Sequence, residues 1–268
     1  MKRKLSRLLL LVIILIILSY VFYQFFGWQL AARKYKDHVI SELTANSAIP
    51  TSTPEKLVYT LRYLGMPSGK AIMRIDKMGD YRGREAYFFS ANARTSDFIS
   101  VFFEIEGWVK SMLDKKELNS LYFQEHSKAT GHRQNDKVVT YNQAEHYLEV
   151  DGEKCMMLPD TVDPLGGFYI IRLIDFKLLK GGHSFNVKSR KRDRALYVEY
   201  VNTEMLETPF GRLKTYKIYM HLKRVKATSK HEISGYMWVT ADEKRIPVSI
   251  DLDTKAGPVS ARLLDLDL

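Results

Sequence analysis

Apolar and polar residues follow three rhythms along this chain. The first is an unbroken apolar run. Leu8 to Phe26, LLLLVIILIILSYVFYQFF, holds no charged residue, and Ser19 and Gln24 are its only clearly polar members. At about 1.5 Å per residue such a helix spans a hydrocarbon layer of about 30 Å. The second rhythm is alternation. Between Arg212 and Val225, Lys214, Tyr216, Ile218, Met220 and Leu222 alternate with Leu213, Thr215, Lys217, Tyr219, His221 and Lys223, so one face of an extended strand is mostly apolar. Runs rich in Val, Ile, Tyr, Phe and Thr recur at 57–64, 70–78, 84–93 and 97–107, within 118–150, and at 183–189, 195–202, 231–240, 246–252 and 259–266. Gly65, Pro67 and Gly69 signal one turn and Gly79-Asp80 the next. Short strands separated by such signals are the pattern of an antiparallel meander, sandwich or barrel.

The third rhythm is helical and occurs once after the apolar run. In 161–182, Asp163 stands as an N-cap, Pro164 at the first helical position, and Gly181-Gly182 beyond the end. Leu165, Phe168, Tyr169, Arg172, Leu173 and Phe176 fall at helical spacings. The expected fold is therefore mainly β: a large antiparallel sheet, curved or partly closed like a barrel, with one packed helix of ten to fifteen residues and an N-terminal transmembrane helix. The expected organisation is a cytoplasmic tail at 1–7, an anchor at 8–28, a stem and linker at 29–54 carrying Pro50 and Pro54, and a β-rich extracytoplasmic domain at 55–268.

Charge changes the picture mainly at the N-terminal end. The chain carries +10, but Lys2, Arg3, Lys4, Arg7, Arg33, Lys34 and Lys36 supply seven positive charges within residues 1–36, where there is no Asp or Glu. The remainder is close to balance, so the overall basicity gives no reason to expect a nucleic-acid partner. Four basic residues before the apolar run favour a cytoplasmic N-terminus by the positive-inside rule. The run is longer than a signal peptide's core and ends in Tyr23, Phe25, Phe26 and Trp28, which suit a membrane interface. The expected location is a bacterial inner membrane, with the domain on the periplasmic side.

Candidate chemistry is sparse. The single cysteine, Cys155, excludes an intramolecular disulfide and reads as a buried core residue. The seven histidines show no metal-ligand spacing, no nucleophile or phosphate-loop motif is present, and Glu104 and Glu106 read as one solvated strand face. No catalytic, metal or cofactor residue is assigned. Lys188, Arg190, Lys191, Arg192 and Arg194 form a basic run between two strands. They are the candidate contact for anionic lipid headgroups or another anionic polymer, the ordinary alternative being an exposed turn.

The strings VDPLGGFYIIR (162–172), KGG (180–182), ETPFGRLKTYKI (207–218) and GYMWVTADEKRIPVSID (235–251) follow one another, with LVYTLRYLGMPSGKAIMRI near the start. In this order the chain resembles the bacterial family called domain of unknown function 3108. The resemblance covers most of 55–268 and implies an envelope protein without an established activity. Its motif positions here are Asp163, Arg172, Gly211, Trp238, Asp242, Arg245 and Pro247, each with a ready structural role in a cap, a tight turn or a strand–turn–strand corner. The expected function is that of a non-catalytic, membrane-anchored envelope protein that binds a hydrophobic or lipidic ligand at the membrane surface. An assembly factor for an envelope protein complex, and a hydrolase of unrecognised type, are the alternatives.

Overall fold

The computed structural model describes residues 54–101, 104–131, 133–176, 181–190, 193–224, 232–254 and 257–267; the apolar run at 8–26 and the stem up to residue 53 lie outside them. In chain order the elements are β1 (Glu55–Tyr63), β2 (Met66–Tyr81), β3 (Arg84–Thr95), α1 (Asp97–Ser100), β4 (Ile105–Asp114), β5 (Ser120–Ala129), β6 (Asn135–Asn142), β7 (Tyr147–Val150), β8 (Glu153–Met156), α2 (Pro164–Leu173), β9 (His183–Val187), β10 (Arg194–Thr208), β11 (Gly211–Arg224), β12 (Ile233–Thr240), β13 (Pro247–Thr254) and β14 (Gly257–Asp267).

All fourteen strands belong to one antiparallel sheet, in the order β8-β7-β6-β5-β4-β3-β2-β1-β14-β13-β12-β11-β10-β9. Each half is a plain meander, and the two halves join where β1 pairs with β14. The alternating pattern fixes the register. Leu57, Tyr59, Leu61 and Tyr63 of β1 are buried, whereas the residues between them are more exposed. A sheet this wide curls rather than staying flat. Its two edges, β8 and β9, are not joined by a ladder. They approach through the segment after β8, where Val162 makes an isolated parallel bridge to Val187, the Asn186 amide side chain donates to the Pro159 carbonyl and the Tyr141 hydroxyl donates to the Lys188 carbonyl.

Helix α2 lies in the concavity. Eight of its ten residues are buried, Pro164 and Phe168 being the exceptions. Its apolar residues run nearly all the way round, which is the pattern of a helix held largely inside the protein. The main core wraps it: Phe89 stacks on Tyr169 with ring centroids 4.0 Å apart, and Leu113, Phe123, Val139, Ile218 and Met237 close in from the sheet. A smaller core of Leu57, Tyr59, Trp238, Ile246, Val248 and Leu263 forms separately.

Three expectations are corrected. Residues 97–107 do not make one strand: 97–100 form α1, a single turn, and β4 begins at Ile105. The Ser100 hydroxyl donates to the Asp97 carbonyl, closing the turn locally. The described residues therefore hold two helices rather than one. The turn expected at Gly79-Asp80 lies at Arg82-Gly83, because β2 runs on to Tyr81. Both turn residues have positive φ, 54° and 82°, the twist-matched geometry for a two-residue hairpin. Cys155, expected in the core, is half-buried on the edge strand β8.

Candidate functional site

A buried polar clamp at each end of α2 sets the geometry of the interior. At the N-terminal end the Asp163 carboxylate caps the helix, accepting from the amides of Leu165 at 2.8 Å and Gly166 at 2.9 Å. Its other oxygen accepts from the hydroxyls of Ser111 and Ser120, which tie the cap to β4 and β5. The Asp163 amide donates back to Ser120 Oγ. Burial pushes this carboxyl above its ordinary range, and the four donors oppose that rise.

At the C-terminal end, Arg172 makes a two-pronged ion pair with Glu55 of β1, both contacts at 2.7 Å. Its remaining donors reach the carbonyls of Lys244 and Arg245, each at 3.0 Å. Burial works against the guanidinium's charge, but the Glu55 carboxylate more than offsets it and Arg172 is held above its usual range. Those carbonyls belong to the corner between β12 and β13. There Asp242 Oδ1 accepts from the Thr240 hydroxyl and from the amides of Lys244 and Arg245. Arg245 sits at φ 47° and returns the contact, donating from its guanidinium to the carbonyls of Arg172 and Ile174. The Pro247 carbonyl accepts from the buried Tyr59 hydroxyl at 2.7 Å. Trp238, in the smaller core, donates its indole N–H to Glu204. The motif positions Asp163, Arg172 and Arg245 thus meet at the two ends of α2, and Asp242 shapes the corner that Arg172 grips. Gly211 stands apart, at φ 96° in the β10–β11 turn.

Beside α2 the concave surface is not filled. An apolar cavity of about 170 Å³ lies between Phe168 and Ile171 of the helix and Leu196, Leu222, Ile250 and Ala261 of the second half of the sheet. Of the thirteen described residues that line it, only Ser260 is polar. A concave space lined in this way suits an apolar rather than a polar ligand.

The basic run is corrected in part. Lys188 and Arg194 are buried, 3 % and 2 % exposed. The Lys188 ammonium donates to the Met156 carbonyl and to Asp193. Arg194 and Val198 are both buried and, four positions apart, share one face of β10. Neither presents charge to a membrane surface. Arg190 is half-buried and donates to Asn135, and Lys191 and Arg192 lie outside the described residues.

The family profile described as "Protein of unknown function (DUF3108)" matches residues 58–264. The chain belongs to this family. No curated protein matches it. Among solved structures it is similar to a β-barrel-like protein of domain of unknown function DUF1849 from Brucella abortus. The identity is 10 %, the match covers 80 % of this chain and 97 % of that one, and the TM-score is 0.54, so the likeness is one of fold alone. More distant matches are a candidate lipoprotein from Parabacteroides distasonis (12 % identity, 82 % and 97 % coverage, TM-score 0.36) and a candidate exported protein with a YmcC-like fold from Bacteroides fragilis (11 % identity, 82 % and 98 % coverage, TM-score 0.37).

Sequence reasoning missed Glu55, Ser111, Ser120 and the cavity-lining residues. Glu55 opens the first strand directly after the proline-containing linker, which reads as an exposed position. Its partner Arg172 lies 117 residues away, and no local pattern joins them. Among the described residues, no group of three or more His, Cys, Asp or Glu side chains comes together as a metal-binding set.

Proposed function

We propose that this protein is a non-catalytic, membrane-anchored envelope protein that holds a hydrophobic ligand in the cavity beside α2. The observation that carries the reading is the cavity itself: an unfilled apolar space on the concave face, flanked by a helix fixed at both ends. The polar groups of the clamps are engaged with one another and hold the helix in place, leaving the adjoining apolar surface to a ligand. The uncharged run at 8–26 would tether the domain close to lipid. Each buried methylene contributes about 0.8 kcal/mol, so even a short hydrocarbon segment gives useful affinity without a reacting group.

The test is native purification of the full chain followed by mass spectrometry of co-extracted lipids, alongside an Ala261→Phe variant that fills the cavity. The expected result is a hydrophobic compound that co-purifies with the wild-type chain, is lost from the variant, and leaves the variant at least as heat-stable. Equal retention by both chains would place the ligand elsewhere and sink the reading. A second reading, an assembly factor, rests on α1 and its flank, where Phe98 is 75 % and Val101 79 % exposed. Its mark would be a protein partner lost on Phe98→Ser while lipid retention is unchanged.

A further inference from the structure

The apolar cavity reaches one end of the sheet. Five of its lining residues lie within three positions of a strand end: Leu196 near the start of β10, Leu222 near the end of β11, Ile233 at the start of β12, Leu252 near the end of β13 and Val259 near the start of β14. The register sets these ends side by side. Leu196 pairs with Leu222, Leu222 with Ile233, Leu252 with Val259, and Val259 with Tyr63 at the end of β1. Farther along the same strands Ile218, Met237 and Val239 are wholly buried. The cavity is thus closed by packed core at its deep end and runs out toward the rim where these strands stop.

That rim carries exposed apolar side chains. In the β1–β2 hairpin, beside Val259, Leu64 is 44 % and Met66 51 % exposed, and the Leu64 amide donates to the Pro258 carbonyl. The short helix α1 lies at the same end: the amide of its N-cap, Ser96, donates to the Ser68 carbonyl of β2. Val101, at the close of α1, is 79 % exposed. Leu64 is displayed at a conformational cost. It takes the first position of a two-residue loop, at φ 48° with Gly65 at 79°. Asn, Asp and Gly suit that position, and a bulky aliphatic residue is strained there. A side chain this exposed gains little from the core to offset the strain. Apolar surface residues scattered singly are ordinary; these three stand in neighbouring connections on the rim of an apolar cavity.

We infer that this rim docks on a lipid bilayer, with Leu64, Met66 and Val101 entering the lipid and the cavity mouth opening into it beside them. The walls behind the mouth are apolar from the rim to Phe168 and Ile171 of α2. A hydrophobic ligand that left such a mouth through water would expose its whole surface, and lipid on the rim removes that step. A protein seated there would instead cap the mouth. The chain length allows the contact. β1 begins at Glu55, at the far end of the sheet, so the proposed anchor at 8–26 joins the domain opposite the rim. The intervening residues 29–53 can span up to about 80 Å, against about 50 Å for the 16 residues of β2, the longest strand. The rim can therefore turn back to the membrane that holds the anchor. This rests on the reading of the cavity as a ligand site and adds where the ligand enters and from what.

The experiment uses the full chain in phosphatidylcholine nanodiscs, with Cys155→Ser so that one fluorophore can be placed at Met66→Cys, Val101→Cys or Phe210→Cys. Phe210, 41 % exposed in the β10–β11 hairpin at the opposite end, is the reference position. Nitroxides on the lipid acyl chains should quench the labels at 66 and 101 at least fivefold more strongly than the label at 210, and iodide in the water should show the reverse order. Leu64→Asp combined with Met66→Asp should weaken lipid quenching of the label at 101 at least threefold. Asp takes φ 48° more readily than Leu, so the turn still forms. Rim labels quenched by iodide alone would overturn the docking. Rim labels shielded from both quenchers would assign the rim to a protein partner and overturn it as well. Entry is read separately, with a photoreactive diazirine analogue of decane dissolved in the nanodisc lipid. Labelling of the peptide containing Phe168 should reach half its plateau at least tenfold more slowly in the double variant, at an unchanged plateau. An equal rate would overturn the mouth as the route of entry. No labelling of the cavity lining in the wild-type chain, with the rim labels still quenched by lipid, would sink the ligand reading and leave the docking in place.

Discussion

A guanidinium with a 4 % exposed side chain, gripped by a carboxylate that is 5 % exposed, behaves differently from an ion pair on the surface. Exposed pairs contribute about 0–1 kcal/mol. Removing one partner of a buried pair leaves the other charge stranded, at a cost of about 3–5 kcal/mol. Arg172→Met should therefore destabilise the protein by about 3–5 kcal/mol in urea unfolding. Part of that loss comes from the Lys244 and Arg245 carbonyls, which lose their donor. Combining it with Glu55→Gln should cost clearly less than the two single changes summed, because the double variant strands no charge. Strictly additive costs would show that the pair is uncoupled and that Arg172 acts only through the corner. The same view explains the basic run. As a string, KSRKRDR looks like solvated charge; in the fold, β10 begins early enough to turn Arg194 into the interior.

At the scale of elements, α2 was the most legible part of the sequence. Asp163 and Pro164 fix its start by local chemistry, and the cap forms as those residue types require. The strands were legible where one face is buried, as in β1 and β11. Residues 97–100 were not, because Phe98 and Ile99 carry β-forming side chains that propensity alone assigns to a strand. Hairpin turns with Leu64 or Arg82 at positive φ were hidden too, since these residues rarely adopt that region. The site was less legible than the fold, since its walls come from α2 and from strands spread over half the sheet. Glycine within a strand carries a separate message. A Cβ on Gly235 would stand 2.0 Å from the Asp251 carbonyl oxygen, so β12 and β13 approach there more closely than a side chain allows. Gly235→Ala should destabilise by about 1–3 kcal/mol or more, the range of an overpacked interior, and should speed amide exchange in β13 before β2. Unchanged exchange in β13 would show that the strands separate there at little cost.

For the whole molecule, the side of the membrane on which the proposed anchor would hold the domain decides which ligands it meets. The basic residues ahead of the 8–26 run predict that alkaline phosphatase fused after Leu268 is active in a bacterial host and that green fluorescent protein fused there is dark. The opposite pattern would reverse the orientation. The sheet topology has its own consequence in time. β1 lies near the middle of the sheet, with β2 on one side and β14 on the other, and Lys56 stands beside Asp267. During synthesis β1 can acquire β2 at once, but its other edge has no partner until residues 257–267 emerge. For some two hundred residues of elongation the growing chain therefore carries an unsatisfied strand edge at the future centre of the sheet. Pairings of such long sequence separation form slowly, and exposed edges recruit other chains. The vulnerable stage for this protein is thus the interval before its two meanders meet, and a helper that shields β1 would act in that interval.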